Sequence, residues 1–201
     1  MAKFKCKMCG APLNVNEGQT VATCDFCQSK QTVANANDER KENLFNRANS
    51  LRAACDFDKA ILSYQSILTI FPDEPEAYWG LCLCKYGIEY VNDPVTKKKI
   101  PTIHRASYDS ILKDSDYLAA LSYADLIAKE VYQEEAKQIA EIQQNILSIS
   151  QKEEPFDIFI CYKETTETGK RTRDSVLAQE VYSNLTDKGY KVFFSRITLE
   201  S

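Results

Sequence analysis

Two closely spaced cysteine pairs organise the start of the chain, Cys6-Lys7-Met8-Cys9-Gly10 and, after fourteen intervening residues, Cys24-Asp25-Phe26-Cys27. A Cys-x-x-Cys segment folds into a tight turn that directs two thiolates at one metal ion, and two such turns supply the tetrahedral set that Zn²⁺ prefers. Because sulfur fills all four positions, the pattern predicts a structural zinc site and not a catalytic one. The predicted ligands are Cys6, Cys9, Cys24 and Cys27.

The residues between the pairs have the pattern of two short strands, at 12–15 and 20–23, joined by a turn with Gly18 at its tip. We therefore predict a zinc ribbon at 1–33. Metal binding should supply its folding free energy, because so small a segment has almost no hydrophobic core. The alternative, a redox Cys-x-x-Cys, would need one pair inside a thioredoxin-like unit. The sequence leaves open whether the ribbon contacts the rest of the chain.

Composition and charge narrow the class of protein. The 201 residues include 25 Lys or Arg and 29 Asp or Glu, a net charge of −4, and 44% are hydrophobic. A mild acidic excess disfavours a nucleic-acid binder. No apolar run is long enough to span a bilayer, and the first residues lack the apolar core of a signal peptide. We predict a cytoplasmic protein without membrane contact, with reduced cysteines.

The other cysteines and the histidine belong to no recognisable motif. Since His104 is the only histidine, Cys/His or Ser/His/Asp catalysis would have a single candidate base, and we predict a structural role for it. The remaining cysteines lie in apolar surroundings and are predicted to be small buried side chains. They are Cys55, Cys82, Cys84 and Cys161.

Residues 38–150 are predicted to be mainly helical. A first helix, with Asp38 as its N-cap, has Leu44, Ala48 and Leu51 on one face. A second helix ends at Phe71-Pro72, since proline restricts the residue before it. The apolar face of this second helix consists of Ala60, Ile61, Tyr64, Ile67 and Leu68.

These two helices resemble a tetratricopeptide repeat, with Ala48, Ala60, Tyr64 and Pro72 at its small, aromatic and terminating-proline positions. A second repeat begins near Pro75 but does not continue. The alternative is a generic helical hairpin. Either arrangement leaves a groove that commonly holds a peptide or a partner helix, so we expect protein partners there.

Two further patterns lie within this helical region. Alternation at 87–91, turn residues at 92–94 and the run 97–104 predict an inserted β-hairpin. The predicted helix at 125–150 has apolar residues at heptad intervals, which are Tyr132, Ile139, Ile142, Ile146 and Ile149. This helix either caps the repeats, which the short stripe favours, or pairs with a second chain in a homo-oligomer.

The C-terminal segment, 155–201, has the pattern strand, loop, helix, strand. The run Phe156-Asp157-Ile158-Phe159-Ile160-Cys161-Tyr162 is predicted to be a buried strand, and 190–194 a second strand. The helix between them ends at Gly189. It carries the apolar residues Val176, Leu177, Val181, Tyr182 and Leu185. This order predicts one βαβ crossover of a parallel sheet.

The run 156–162 closely resembles the first box of TIR (Toll/interleukin-1 receptor) domains, which have a flavodoxin-like α/β fold, and the following helix and strand match the next pieces. With its ribbon and repeat helices, the whole chain looks like a group of bacterial TIR-domain proteins. The resemblance implies signalling or defence through TIR–TIR assembly and, in complete domains, hydrolysis of NAD⁺. It also implies that the loop after the first strand approaches NAD⁺, so Tyr162, Lys163 and Arg171 are candidate binding residues.

In that family the catalytic glutamate lies on a helix beyond the second strand. The sequence ends at Ser201, before such a helix, and Glu200 is too early to replace it. We therefore expect 155–201 to be the first part of a TIR domain, from a natural truncation or a fragment. We expect this chain alone to be inactive on NAD⁺.

The sequence thus predicts a multidomain protein with a zinc ribbon at 1–33, a tetratricopeptide-like helical domain with an inserted hairpin at 38–150, and a partial α/β TIR segment at 155–201. Two functions remain open. One is a TIR signalling protein whose full-length relatives hydrolyse NAD⁺. The other is a non-enzymatic ribbon-and-repeat adaptor for protein–protein interaction.

Overall fold

A computed structural model of the chain describes residues 2–16, 18–35, 39–152 and 155–195. Within these ranges the protein is mixed α/β, about half helical, with small two-stranded sheets. Backbone contacts divide the chain into two units, Met1–Leu147 and Ser148–Ser201. The predicted N-cap Asp38 and the glutamate at 200 lie outside the described residues.

The N-terminal strands form two hairpins, and each hairpin encloses one cysteine pair. β1 (Ala2–Lys5) pairs antiparallel with β2 (Pro12–Val15), and β3 (Val21–Thr23) pairs with β4 (Lys30–Thr32). The two strands predicted on either side of the Gly18 turn are present as β2 and β3, but they belong to different hairpins. Each Cys-x-x-Cys turn reverses the chain, so the nearest antiparallel neighbour of a strand lies across its own cysteine pair.

Three helices follow the ribbon, α1 (Glu39–Ala53), α2 (Phe57–Ile70) and α3 (Pro75–Lys85), with α2 packed on both neighbours. As predicted, α2 ends before Pro72, and Pro75 occupies the first turn of α3. The predicted residues Ala60, Tyr64 and Ile67 are buried. Gly80 permits the close approach of α2 and α3, because a Cβ there would lie 2.4 Å from Tyr64 Cε1.

The buried face of α1 is shifted from the predicted one. Phe45, Ala48 and Arg52 are buried, whereas Leu44 and Leu51 are only half-buried. The Arg52 guanidinium donates to the carbonyls of residues 7 and 88 at 2.6 and 3.0 Å. A hydrophobicity pattern treats arginine as a surface residue and so does not predict this face. The planar guanidinium of arginine can nevertheless donate hydrogen bonds to buried carbonyl groups.

The second half of this unit contains the predicted hairpin and the longest helix. β5 (Ile88–Asn92) pairs antiparallel with β6 (Lys99–Ile103). A 3₁₀ turn (Ile111–Lys113) and α4 (Ser115–Tyr123) lead into α5 (Leu126–Lys152). No helix within the described ranges is both long and apolar enough to cross a bilayer.

Part of the predicted heptad stripe of α5 packs into the hydrophobic core of its own chain. Tyr132 and Ile139 are buried in a hydrophobic cluster around Trp79. Ile149, nearer the end of the helix, is 59% exposed. The first part of the stripe therefore has an intramolecular partner, while pairing of α5 with a second chain stays a prediction.

The ribbon and the helices share one hydrophobic core. Phe4 and Leu13 from the ribbon belong to the same buried cluster as Phe45 and Tyr64 from α1 and α2. The predicted segments 1–33 and 38–150 therefore form parts of a single compact unit, and the ribbon packs directly on the helices.

The second unit contains β7 (Ile158–Phe159), α6 (Arg173–Asp187) and β8 (Val192–Phe193), with the two strands paired in parallel. The strand, helix, strand order is the predicted one, but each strand is only two residues long. Phe159, predicted to be buried, is 65% exposed. A sheet of this size cannot cover the apolar residues on both of its faces.

Three predicted apolar positions of α6 also differ. The helix buries Ser175 and Ala178, while Val176, Leu177 and Val181 are exposed. α6 packs against β8, and its buried positions there are the small residues.

Two of the four cysteines predicted to be buried are not. Cys82 and Cys84 are buried in the structure, whereas Cys55 is half-buried and Cys161 is exposed. Apolar neighbours in the sequence do not by themselves bury a residue in a turn or a very short strand.

Candidate metal centre

The two cysteine-pair turns have matching backbone structure. The N–H of Gly10 donates to the carbonyl of Cys6 at 2.8 Å, and the N–H of Gln28 donates to the carbonyl of Cys24 at 2.9 Å. Gly10 has φ of 77° and Gln28 has φ of 58°, so both residues have a left-handed backbone. Each turn therefore presents its two sulfurs in the same way.

The four sulfurs converge on one point. Cys6 Sγ lies 3.7 Å from Cys27 Sγ, Cys9 Sγ lies 3.7 Å from Cys24 Sγ, and all four lie within 4.8 Å of one another. Four thiolates at the zinc–sulfur distance of about 2.3 Å are about 3.8 Å apart in a tetrahedron. The two 3.7 Å separations match that value and no pair exceeds 4.8 Å, so the cluster could hold a metal ion such as Zn²⁺.

The surroundings of the cysteines shift their thiol pKa values in different directions. Burial raises the pKa of Cys9 to about 12, and burial also raises the pKa of Cys6 despite the amide of Gln31. At Cys27 burial has the same tendency, but hydrogen bonds with the Ser29 side chain and backbone outweigh it and lower the pKa to about 7. Metal binding at neutral pH must therefore displace protons, and the metal affinity falls as the pH falls.

Gln31 is a ligand-supporting residue that the sequence analysis missed. Its Nε2 donates to Cys6 Sγ at 3.0 Å, and its Oε1 accepts the backbone N–H of Lys7 at 2.9 Å. The side chain is buried on β4. Contacts of this kind orient a metal ligand and stabilise its negative charge. Only the position of Gln31, four residues after Cys27, could have indicated its role.

Lys7, which lies between Cys6 and Cys9 in the sequence, connects the cysteine cluster to the helices. Its side chain is buried, and Nζ lies 3.0 Å from Glu76 Oε1 on α3 and 2.8 Å from Thr32 Oγ1. Glu76 also accepts the hydroxyl of Tyr132 on α5 at 2.8 Å. A buried ion pair with these added hydrogen bonds connects the metal-binding turn to two helices.

A second buried carboxylate, Glu135, extends this network. Glu135 Oε2 lies 3.9 Å from Lys7 Nζ and accepts the Trp79 indole N–H at 3.0 Å. The Tyr90 hydroxyl donates to the other oxygen. Burial and the negative charge of Glu135 hold the pKa of Tyr90 well above its usual range, so Tyr90 remains a neutral donor. The buried charges are thus satisfied by several donors.

A cleft of about 490 Å³ lies beside this network, between the ribbon, the end of α2 and the junction of α4 with α5. Its wall includes apolar residues from all three regions, and two exposed carboxylates line it. The apolar residues are Val33, Ile70, Phe71, Pro72, Tyr123 and Ala128, and the carboxylates belong to Asp73 and Asp125.

The residues predicted to approach NAD⁺ all belong to the second unit. Tyr162 is half-buried, and Lys163 is exposed. The Arg171 guanidinium donates to Ser175 Oγ at 3.1 Å and to Gln179 Oε1 at 2.8 Å on α6. Arg171 therefore has partners on the helix that follows it, and the nucleotide-binding role of all three residues stays a prediction.

His104, predicted to have only a structural role, lies in a second cluster of ligand-type side chains. Its Nε2 lies 2.7 Å from Glu89 Oε2 and 3.9 Å from Cys55 Sγ. This cluster could not be predicted from sequence, because its members come from three separate segments and share no spacing motif.

No family model, curated protein or solved structure matches this chain. Its class is therefore defined by the fold and the site, as a mixed α/β protein with a four-cysteine cluster that could hold a metal ion. The TIR and tetratricopeptide resemblances rest on the sequence segments given above.

Proposed function

We propose that this chain is a signalling adaptor of the TIR type, in which a zinc-organised unit binds a protein partner. The observation that carries the proposal is the four-sulfur cluster with its buried link from Lys7 to Glu76. A metal ion with four protein ligands has no open position for a substrate, so its role is to hold a scaffold.

The cleft beside α2, α4 and α5 is the proposed partner site. Its volume of about 490 Å³ is in the range that accommodates a ligand or a few peptide side chains. Lys41 on the wall of the cleft forms an ion pair with Glu74 at 2.6 Å, so its positive charge does not offset the negative charges of the nearby Asp73 and Asp125. Although burial opposes it, hydrogen bonds from Ala128 N–H and other donors lower the pKa of Asp125, so this carboxylate is charged.

The chemistry of the cleft selects a class of partner. An apolar wall with an acidic edge fits a protein segment that carries a large apolar side chain beside Lys or Arg, because complementary charge favours such a pair. This partner class agrees with the groove-binding role of tetratricopeptide-like helices.

The second unit contributes TIR-type contacts in this proposal. Its support is the parallel pairing of β7 and β8 on either side of α6, which is the order expected for the first elements of a TIR domain. In the described part of this unit, Glu164 and Glu167 lie in an exposed loop and Glu180 lies on α6. None of these residues takes the place on a helix after the second strand that is expected for the catalytic glutamate of the family.

Peptide selection tests the partner site. Peptides selected from a random library on the zinc-loaded chain should combine an apolar residue with Lys or Arg, and their affinity is measured by isothermal titration calorimetry. Tyr123 lines the cleft, is 48% exposed and stacks on Tyr78 at 5.6 Å. Since buried aromatic side chains dominate such interfaces, Tyr123→Ala should weaken binding about tenfold.

The matched control is Leu118→Ala. Leu118 lies on the same helix, is 51% exposed and does not line the cleft, so binding should be unchanged. Selected peptides that bind equally well to the Tyr123→Ala variant would contradict the proposal.

A further inference from the structure

We propose that Cys55, Glu89 and His104 form a second metal site, which binds a divalent transition-metal ion such as Zn²⁺ and leaves one coordination position open. Their Sγ, carboxylate oxygen and ring nitrogen lie within 4.8 Å of one another. Thiolate, carboxylate and imidazole are all established zinc ligands.

The fold brings the three residues together from separate elements. Cys55 lies in the turn between α1 and α2, Glu89 lies on β5, and His104 directly follows β6. The N–H of His104 donates to the carbonyl of Gly87 at 2.9 Å. Gly87 has φ of 62°, and a Cβ there would lie 3.0 Å from the backbone nitrogen of Arg105. The close backbone approach that places His104 beside Glu89 therefore requires glycine.

The geometry differs from that of a catalytic triad. In Cys–His–acid catalysis the thiol and the carboxylate contact opposite nitrogens of the imidazole, so that one orients the ring and the other loses its proton to it. Here Cys55 Sγ and Glu89 Oε2 both approach Nε2 of His104. Convergence of three donor atoms on one point is the arrangement of a ligand set.

The distances allow a metal ion after a small adjustment. Around a tetrahedral Zn²⁺, a nitrogen and an oxygen ligand are about 3.3 Å apart, and a nitrogen and a sulfur ligand are about 3.5 Å apart. The corresponding distances are 2.7 Å between His104 and Glu89 and 3.9 Å between His104 and Cys55. Each differs by about half an ångström, which rotation of partly exposed side chains can supply.

The site is accessible and its local charge permits a cation. The His104 and Glu89 side chains are 44% and 32% exposed, so solvent can fill the open position. The neighbouring Arg105 directs its guanidinium to Asp58 at 2.8 Å. That pairing offsets the charge of Arg105, and Glu89 contributes a carboxylate within the cluster. The buried Arg52, whose charge also acts on Cys55, directs its guanidinium to the carbonyls of residues 7 and 88.

The backbone of Cys55 adds a reason for a specific role. Its φ is 59°, a left-handed conformation that is sterically unfavourable for a residue with a Cβ, and glycine is the usual residue there. A cysteine at this position places a thiol beside β5, where glycine would place nothing. Strain of this kind is commonly retained where a side chain has a function.

The test uses the full chain with its four-sulfur site already loaded with zinc. Added Co²⁺ should bind to the wild-type chain with a sulfur-to-cobalt absorption band, and dialysis against Zn²⁺ should leave an additional ion beyond the four-sulfur site. Cys55→Gly removes the thiol and relieves the backbone, so the variant should fold while its affinity for Co²⁺ falls about tenfold or more. His104→Ala should show the same loss.

The matched control is Cys161→Ser, which removes an exposed thiol that is not in the cluster and should leave Co²⁺ binding unchanged. Absence of an additional ion in the wild-type chain would overturn the proposal. An additional ion that persists in both Cys55→Gly and His104→Ala would also overturn it, because the ion would then bind elsewhere.

Discussion

The two cysteine-pair turns have the same backbone conformation but different residues at the left-handed position. Gly10 suits φ of 77° because it has no Cβ, whereas Gln28 adopts φ of 58° at a steric cost. The Gln28 side chain recovers part of that cost, since its Nε2 donates to the Asp25 carbonyl at 2.7 Å. The second turn is therefore the more strained of the two.

Gln28→Gly is expected to raise the free energy of unfolding of the zinc-loaded chain by about 0.5 kcal/mol, because the relieved strain exceeds the lost side-chain hydrogen bond. Guanidinium-induced unfolding in excess zinc measures the change. The reciprocal variant, Gly10→Ala, should lower the same free energy by about 1 kcal/mol. A destabilised Gln28→Gly chain would show that the glutamine side chain matters more than the backbone.

At the scale of elements, the ribbon is joined to α3 and α5 through buried charge. Lys7 and Glu76 have only 3% and 6% of their side chains exposed. An ion pair so deeply buried contributes little net stability when complete, but removing one partner leaves an uncompensated charge in a poorly solvated place.

Lys7→Met should therefore lower the free energy of unfolding by about 3 kcal/mol, and the double variant with Glu76→Gln should recover part of that loss. Thermal unfolding of the zinc-loaded chain, with zinc content checked for each variant, measures both effects. The control is Lys59→Met, whose ion pair with Asp56 is 71% and 36% exposed and should contribute little to stability because solvent screens it. Equal effects of Lys7→Met and Lys59→Met would contradict the buried-pair account.

At the scale of the whole molecule, the metal site and the helices stabilise each other because they share a core. Phe4 and Leu13 of the ribbon are buried in the same cluster as Phe45 of α1. Loss of the metal would therefore expose apolar surface on the helices as well as on the ribbon.

Cys24→Ser is expected to reduce hydrogen-exchange protection in α1 and α3 as well as in β1 to β4, while α6, in the other unit, keeps its protection. Exchange measured by mass spectrometry on the zinc-supplemented chain tests this. Cys161→Ser, which changes an exposed cysteine, should leave every helix unchanged. If Cys24→Ser affects only the ribbon strands, the ribbon is an independent attachment.

Local features of the chain were predictable from sequence. The Cys-x-x-Cys spacing predicts the four-sulfur cluster, because so tight a turn can present its sulfurs in few ways. The positions of Pro72 and Pro75 predict the end of α2 and the start of α3, since proline limits the backbone locally. The β5–β6 hairpin follows from alternation and turn residues in the same way.

Contacts between residues far apart in the sequence depend on how the elements pack. The burial of Arg52 depends on carbonyls at residues 7 and 88, and the Cys55, Glu89 and His104 cluster depends on the hairpin lying against the α1–α2 turn. The cysteine turns and the helix boundaries follow from nearby residues alone, because short-range sterics and metal geometry specify them. The attachment of the ribbon to the helices and the second cluster arise from packing between segments that no spacing rule relates.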